Sequence, residues 1–410
     1  MKKGFLSQYF AGVAGKRLSA VEADILTSHQ HEFNGVQELK DILGTPDERV
    51  KFDTRFLYFT DQDDDPIVED GFLSWYDSRK NQPKRSAEYR LYFPDNLPLQ
   101  CASVGDYLIV AKRPDNSLLA LIAEKDTTME RQLRWLFGLC DDNHPGLSVR
   151  ADLESEQDRI NFASRFILEQ IGIEPEEEAP NYLDQMLERF DGGFPTTSEF
   201  SAYARSTLPD ISAIDEPDEA LICWMEWEEI LYRTLEKHLL GDGLASLVKK
   251  SQESVEPDCF VKIIQSTLQR RKSRAGSALE NHLEQIFLDH NVTYTRQGVT
   301  ENRHKPDFIF PGIDMYHDTQ FPDCRLTMLA SKSTCKDRWR QILAEASRIP
   351  KKHLITLEPG ISENQTGEMK AKSVQLVVPH GLFSTYTDKQ CQWLMSLGSF
   401  IPLALSRQNS

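Results

Sequence analysis

Short apolar runs separated by polar punctuation fill the first third of the chain. "RFLYFT" (55–60), "EYRLYF" (88–93), "GDYLIVAKR" (105–113) and "SLLALIAEK" (117–125) are rich in aromatic and branched residues. Pro, Gly, Asn and Asp occupy the gaps, which is the signature of strands joined by turns. The pattern predicts a mainly β unit over residues 1–150, a small barrel or open sandwich. From 151 to 182 the chain becomes polar and acidic and ends in "GIEPEEEAPNY". An interdomain linker with one helix, "EQDRINFASRFILEQIG", is expected there.

Helical periodicity takes over at 183, through "YLDQMLERF", "SEFSAYARSTL", "ALICWMEWEEILYRTLEKHLL", "DCFVKIIQSTLQRRKS" and "SALENHLEQIFLDHN". Strand-like runs then alternate with helix, through "VTYTRQGVT", "KPDFIFPG", "RLTMLASKS", "KHLITLE" and "SVQLVVP". That alternation predicts an α/β core in a second domain over 183–405. Leu279, Leu283, Ile286 and Phe287 form one helical stripe, with Glu280 and Glu284 one turn apart on its flank. A further helix is expected from about Lys336 to Arg348. Trp339, Ile342, Leu343 and Ala346 would be its apolar face, and Arg338, Gln341 and Glu345 another face.

At 410 residues, with 40% hydrophobic and 27% charged content, the chain has room for two or three cored domains. No apolar stretch nears the roughly 20 residues that span a bilayer, so no membrane partner is expected. The start "MKKGFLSQYF" lacks a long apolar segment, and no signal peptide is expected. Seven cysteines without a CxxC pair suggest reduced thiols and a cytoplasmic location. "HQH" at 29–31 has no companion Cys/His cluster, so zinc has no support.

A net charge of −17 argues against a broad basic field for nucleic acid. Local fields survive such an average. Basic clusters stand at 79–90, 262–274 and 332–340, and acidic ones at 61–65 and 174–178. Each basic cluster is equally compatible with a plain solvated face.

The junction "MLASKSTCKDRWRQILAEA" (328–346) carries the candidate chemistry. Phosphodiester hydrolysis commonly uses a metal ion that activates water and neutralises phosphate charge. Magnesium keeps several waters and needs few carboxylates, and a lysine beside the attacking water screens the phosphate. Lys332 ends the apolar run, and Asp307 and Asp323 precede it as Pro-Asp pairs. The position that the common nuclease motif gives to a second acid is Ala330. Glu345 in the following helix is the replacement, unless it is an exposed glutamate paired with a nearby arginine. Either Glu280 or Glu284 could add a fourth acid.

These segments resemble the EcoRII family of restriction endonucleases. The likeness is strongest over about 270–402, in "RRKSRAGSALENHLEQIF", "KPDFIFPG", "YHDTQFP", the long "KSTCKDRWRQIL" string and "VQLVVP". "GFPTTSEFSAYA" and "MEWEE" extend it back to about 193. "KRLSA", His29–Gln30 and "WYDSRKNQPKRSAEYR" extend it weakly into the first domain.

The resemblance implies a restriction-endonuclease-like α/β domain with a permuted nuclease motif, whose second acid has moved to the next helix. It selects Glu345, prefers Asp307 to Asp323 and prefers Glu280 to Glu284. Asp307 and Glu345 would then hold Mg²⁺, Lys332 would orient the water, Glu280 would complete the acidic cluster, and Tyr316 would stand nearby. Lys336, Asp337 and Arg338 align with the segment that reads paired G·C bases. Lysine and arginine donate to guanine O6 and N7, and a carboxylate accepts from cytosine N4. The family target is CCWGG, cut before the first C. Trp227 matches the aromatic residue on which a flipped central base stacks, and its alternative is a core tryptophan. Cys223 stands where the flipping pocket has an arginine, a departure that bears on the central base.

For the first domain the resemblance implies a DNA-binding pseudobarrel. It binds a second copy of the site as effector and otherwise blocks the cleft. His29, Gln30, Arg79, Lys84, Arg85, Glu88 and Arg90 are the matching contacts. A homodimer on double-stranded DNA follows from a twofold site. The rival readings are a catalytically silent DNA-binding relative and an acidic α/β interaction protein with chance motifs.

Overall fold

The structure is a computed structural model that describes the chain apart from residues 1, 24–30, 34–35, 63–64, 82–83, 140–146, 176–178, 209, 251–256 and 410. Side chains are additionally left undescribed at 242–250, 257–261, 263, 336–337 and 409. The chain divides into two compact units, Met1–Glu174 with Pro359–Gln365, and Pro175–Glu358 with Thr366–Ser410.

Unit one is built on eight strands: β1 (Gly12–Arg17), β2 (Glu32–Phe33), β3 (Val50–Phe59), β4 (Ile67–Asp77), β5 (Tyr89–Tyr92), β6 (Tyr107–Lys112), β7 (Leu118–Ala123) and β8 (Ser148–Arg150). Their order is β2-β5-β4-β3-β7-β6-β1-β8, antiparallel except where β3 runs parallel to β7. All six residues of β7, "LLALIA", are buried. A strand sends successive side chains to opposite faces, so a fully apolar strand needs cover on both. Leu118, Ala120 and Ile122 join one core with Phe56, Trp75 and Leu91. Leu119, Leu121 and Ala123 join another with Phe10 and Phe137.

Two helices complete that second core, α1 (Thr128–Leu136) and α2 (Phe162–Gln170). Ile167 and Leu168 of α2 are fully buried within it. The region expected to be a linker over 151–182 therefore belongs to unit one as far as Glu174. The helix expected there forms as α2, but its apolar face joins the core of unit one.

Unit two opens with three helices, α3 (Pro180–Arg189), α4 (Thr197–Ser206) and α5 (Pro217–Lys250), which share a core of Met186, Phe200, Tyr203, Leu231 and Leu235. The runs expected as two helices around 258–291 form a single one, α6 (Pro257–Asp289), which passes through Gly276 unbroken. One glycine costs a helix only about 1 kcal/mol, and the stripe Leu279, Leu283, Ile286, Phe287 is fully buried. His282 of α6 ties the bundle together. Its Nδ1 takes a hydrogen bond from Arg205 at 3.0 Å, and its Nε2 faces Glu228 at 3.0 Å.

The second sheet has five strands, β9 (Thr295–Arg296), β10 (Phe308–Phe310), β11 (Thr327–Lys332), β12 (Lys352–Thr356) and β13 (Val374–Val377). The order is β13-β12-β11-β10-β9. β9, β10 and β11 pair antiparallel, while β11, β12 and β13 run parallel. Phe287 of α6 meets Phe308 and Phe310 edge-on, each with ring centroids 5.2 Å apart, and so seats the helix on the sheet. Among the described residues no helix is long and apolar enough to cross a membrane.

Candidate active site

Asp307 immediately precedes β10, and Lys332 ends β11. The ladder pairs Phe308 with Leu329, so the two residues emerge at one edge of the same two-stranded unit. Lys332 Nζ donates to Asp307 Oδ2 at 3.2 Å. The same oxygen accepts the Ser331 backbone N–H at 2.7 Å and its hydroxyl at 3.3 Å. Three donors on one oxygen fix the carboxylate's orientation. Oδ1 takes no hydrogen bond from a described residue, so one carboxylate oxygen is left for another ligand. Ala330 is fully buried.

Glu345, expected from the resemblance as the second acid, is partly buried. Burial pushes its pKa up first, and the negative charge of Asp307 adds to this; Lys332, His304 and Lys352 oppose it. Glu345 thus lies within the field of both Asp307 and Lys332. The expected helix from Lys336 to Arg348 is instead a 3₁₀ helix over Lys336–Ala344, and Glu345 is its extended C-cap, with φ −85° and ψ 147°. Trp339, Ile342 and Ala346 are buried as expected. A 3₁₀ helix has three residues per turn, which still aligns Arg338 with Gln341, but Glu345 is aimed by the chain leaving the helix, not by its periodicity.

Glu280 is committed elsewhere. Its Oε2 accepts from Arg296 at 2.8 and 3.1 Å and from Gln297 at 3.2 Å. Arg296 also bonds Asn281 at 3.0 Å and Glu284 at 2.8 Å. Gln297 connects this network to Asp307, because its backbone N–H donates to the Asp307 carbonyl at 3.0 Å. Tyr316 is buried, and its hydroxyl donates to both oxygens of Glu301, at 2.6 and 2.7 Å. Ser331, Arg296 and Glu301 escaped the sequence reading. Ser331 adjoins Lys332 but has no distinguishing pattern, and Arg296 and Glu301 lie in loops and short strands whose partners are distant in sequence.

The 3₁₀ helix after Lys332 begins at Lys336, and Arg338 is exposed; the side chains of Lys336 and Asp337 lie outside the described residues. Cys335, at the helix N-cap, is buried, and its N–H donates to the buried carboxylate of Glu358. Trp227 is half-buried against the helical core, with its Nε1 donating to Thr207 Oγ1 at 2.7 Å and its ring edge-on to Tyr182 at 5.2 Å. Cys223 is also half-buried, and burial raises its thiol pKa.

In unit one, Arg79 and Glu88 pair at 2.6 Å across the β4–β5 connection. Arg90 pairs with Glu32 at 2.7 Å and lies 3.7 Å from Glu88. Lys84 and Arg85 are exposed in the same connection. His29 and Gln30 lie outside the described residues.

The acids suit a hard, hydrated cation. Magnesium is held by one or two carboxylates and retains waters, and Asp307 Oδ1 and the Glu345 carboxylate supply that many. Among the described residues no group of three or more His, Cys, Asp or Glu side chains gathers as a metal cage.

Residues 232–401 match the EcoRII C-terminal family model. The type II restriction enzyme EcoRII of Escherichia coli is 43% identical over 210 residues, covering 51% of this chain and 50% of that protein. Residues 232–401 form an EcoRII C-terminal domain. The chain spans about half the length of the curated relative that it matches. Asp307, Lys332 and Glu345 all fall inside the EcoRII C-terminal domain. Two solved structures are also similar. Metal-depleted Ecl18kI in complex with uncleaved, modified DNA has a TM-score of 0.45 at 18% identity, covering 57% of this chain and 86% of that chain. A restriction endonuclease PspGI–substrate DNA complex has a TM-score of 0.43 at 17% identity, covering 53% and 94%.

Proposed function

We propose that the protein is a type II restriction endonuclease making Mg²⁺-dependent double-strand cuts at CCWGG-like sites. The observation that carries this is the Asp307–Lys332 contact with Glu345 in its field, inside an EcoRII C-terminal domain. Asp307 and Glu345 would hold the metal, which supplies Lewis-acid activation of water and charge neutralisation at the phosphate. Lys332, anchored by Asp307, holds a positive charge where the attacking water and the phosphate meet. Ser331 keeps Asp307 turned to serve both. Glu280 acts one step back, through Gln297 and Arg296.

Lys336, Asp337 and Arg338 would read the G·C pairs, and Trp227 would stack the central base. The place of Lys336–Arg338 soon after Lys332 would put base reading and chemistry on one short segment, so a correct sequence would seat the phosphate as it docks. Unit one would be a pseudobarrel that binds a second site through Arg79, Lys84, Arg85, Glu88 and Arg90, with His29 and Gln30, and restrains cleavage until it does. The Arg79–Glu88 and Arg90–Glu32 pairs support this, since carboxylates that orient guanidinium forks prepare them for base edges. A twofold DNA site calls for a homodimer with two catalytic centres.

Plasmids bearing one or two CCWGG sites, digested with Mg²⁺ and with a CCWGG oligonucleotide as effector, test the reading. Cleavage should occur at those sites, with sequenced ends placing the cut before the first C. Wild-type protein that leaves every such plasmid intact would refute the nuclease assignment and favour a silent DNA-binding relative.

A further inference from the structure

The segment that follows Glu345 is held by more than its sequence requires. Ala346, next to Glu345, is fully buried and has φ +45°. A side chain adopts that left-handed region only under constraint. Lys352, the first residue of β12, supplies it. This lysine is 5% exposed, and its Nζ donates to the Ala346 carbonyl at 2.9 Å and the Ile349 carbonyl at 2.8 Å. Ser347 N–H donates to Glu301 Oε2 at 3.3 Å, and Arg348 N–H to the Tyr316 hydroxyl at 3.3 Å. Ile349 N–H closes the turn onto the Ala346 carbonyl at 2.9 Å.

A buried ammonium is costly, and an apolar residue of similar volume would fill the same space without that cost. Its retention here points to a task for the charge. Burial lowers the Lys352 pKa, while the negative charges of Glu345 and Glu301 raise it. The lysine is bonded to the backbone immediately after Glu345.

We propose that Lys352 is a positioning residue for Glu345: it pins the left-handed turn at Ala346 and sets a fixed positive charge near the carboxylate that would bind metal. This rests on the reading of Glu345 as a metal ligand. The pinning itself is testable without metal.

Three measurements on the full chain test it. In metal-free hydrogen exchange, Lys352→Met should raise exchange in the 345–349 segment about tenfold or more, with the strands of unit one unchanged. In Mn²⁺ titration calorimetry the dissociation constant should rise about 10–100-fold, as for residues that orient metal ligands. The half-saturating Mg²⁺ for cleavage should rise with it, while binding of specific DNA without metal stays within about twofold of wild type. Lys352→Gln keeps a donor and removes the charge. It should retain most of the exchange protection yet bind Mn²⁺ more weakly, and it decides the question if Lys352→Met does not fold. Wild-type exchange at 345–349 in Lys352→Met would overturn the pinning. Unchanged Mn²⁺ affinity and Mg²⁺ requirement in both variants would overturn the positioning role. If wild type neither binds Mn²⁺ nor cleaves, the reading of Glu345 fails, and the exchange result still decides the pinning.

Discussion

The Lys332 ammonium meets the Asp307 carboxylate at 3.2 Å across the antiparallel pair β10–β11. Neither side chain is exposed enough for the contact to be a casual surface pair, at 23% and 14% of full side-chain exposure. Ser331 holds the same carboxylate oxygen from the backbone side. The lysine is thereby tied to a carboxylate whose other oxygen takes no hydrogen bond from a described residue.

Lys332→Ala should remove cleavage while leaving recognition intact. A positioned charge at the reacting phosphate is worth about 10²–10³-fold, so single-turnover cleavage should fall by at least that factor. Gel-shift affinity for a CCWGG duplex should stay within a few-fold. A comparable loss of specific binding would mean that Lys332 serves recognition or folding instead.

Arg338 should govern discrimination more than affinity. It is exposed soon after β11, within the segment proposed to read bases. Arg338→Ala should cost about 1–3 kcal/mol of discrimination between CCWGG and a site with one G·C pair replaced. Competition binding with the two duplexes measures it. Equal weakening on both duplexes would mark Arg338 as a phosphate contact.

Glu301 makes acid stability a probe of the Tyr316 contact. Its carboxyl is held at about 2 against an ordinary 4.5: burial acts upward, but hydrogen bonds from Tyr316, its own backbone and Ser347 outweigh it. A depressed folded-state pKa stabilises above the ordinary value, and that contribution is lost as pH falls towards the folded one. Between pH 4.5 and about 2 the unfolded chain binds a proton here that the folded chain does not. Urea midpoints of wild type should therefore fall faster below pH 4.5 than those of Glu301→Gln. Parallel pH curves for the two proteins would count against a Glu301 carboxylate held by these hydrogen bonds.

Arg296 holds together two acids that would otherwise repel. It joins Glu280 and Glu284, each at 2.8 Å, with all three groups no more than about one-third exposed. Arg296→Gln should lower stability by about 1–3 kcal/mol, the range for lost charged hydrogen bonds. Equilibrium urea unfolding reads this directly. If Glu280→Gln combined with Arg296→Gln is no less destabilised than Arg296→Gln alone, the stranded charge is not the cause.

Much of this architecture was legible in the sequence, because burial leaves a periodic trace. The apolar runs of β3, β6 and β7 and the stripe Leu279–Leu283–Ile286–Phe287 were readable from spacing alone. Alternation and helical spacing reflect which side chains leave water. Lys332 at a strand end and Asp307 before another strand were legible for the same reason, as polar residues at the limits of apolar runs.

Other features depended on partners far along the chain. Composition marked 151–182 as a linker with one helix, yet Ile167 and Leu168 of that helix fill the core of unit one, since the surface that a helix covers lies elsewhere in the chain. Helical spacing put Glu345 on a helix face, whereas the chain turns out of a 3₁₀ helix there and a left-handed Ala346 follows. The pairing of Arg296 with Glu280, the Glu301–Tyr316 contact and the buried Lys352 all join residues from separate elements. By itself the sequence determined most of the strands and the buried stripes of the main helices, because hydrophobic patterning is local. Only the tertiary structure decided which acid bonds Lys332, which is neutralised by an arginine, and that Lys352 bonds the turn after Glu345, because such contacts depend on distances that close when the strands and helices pack.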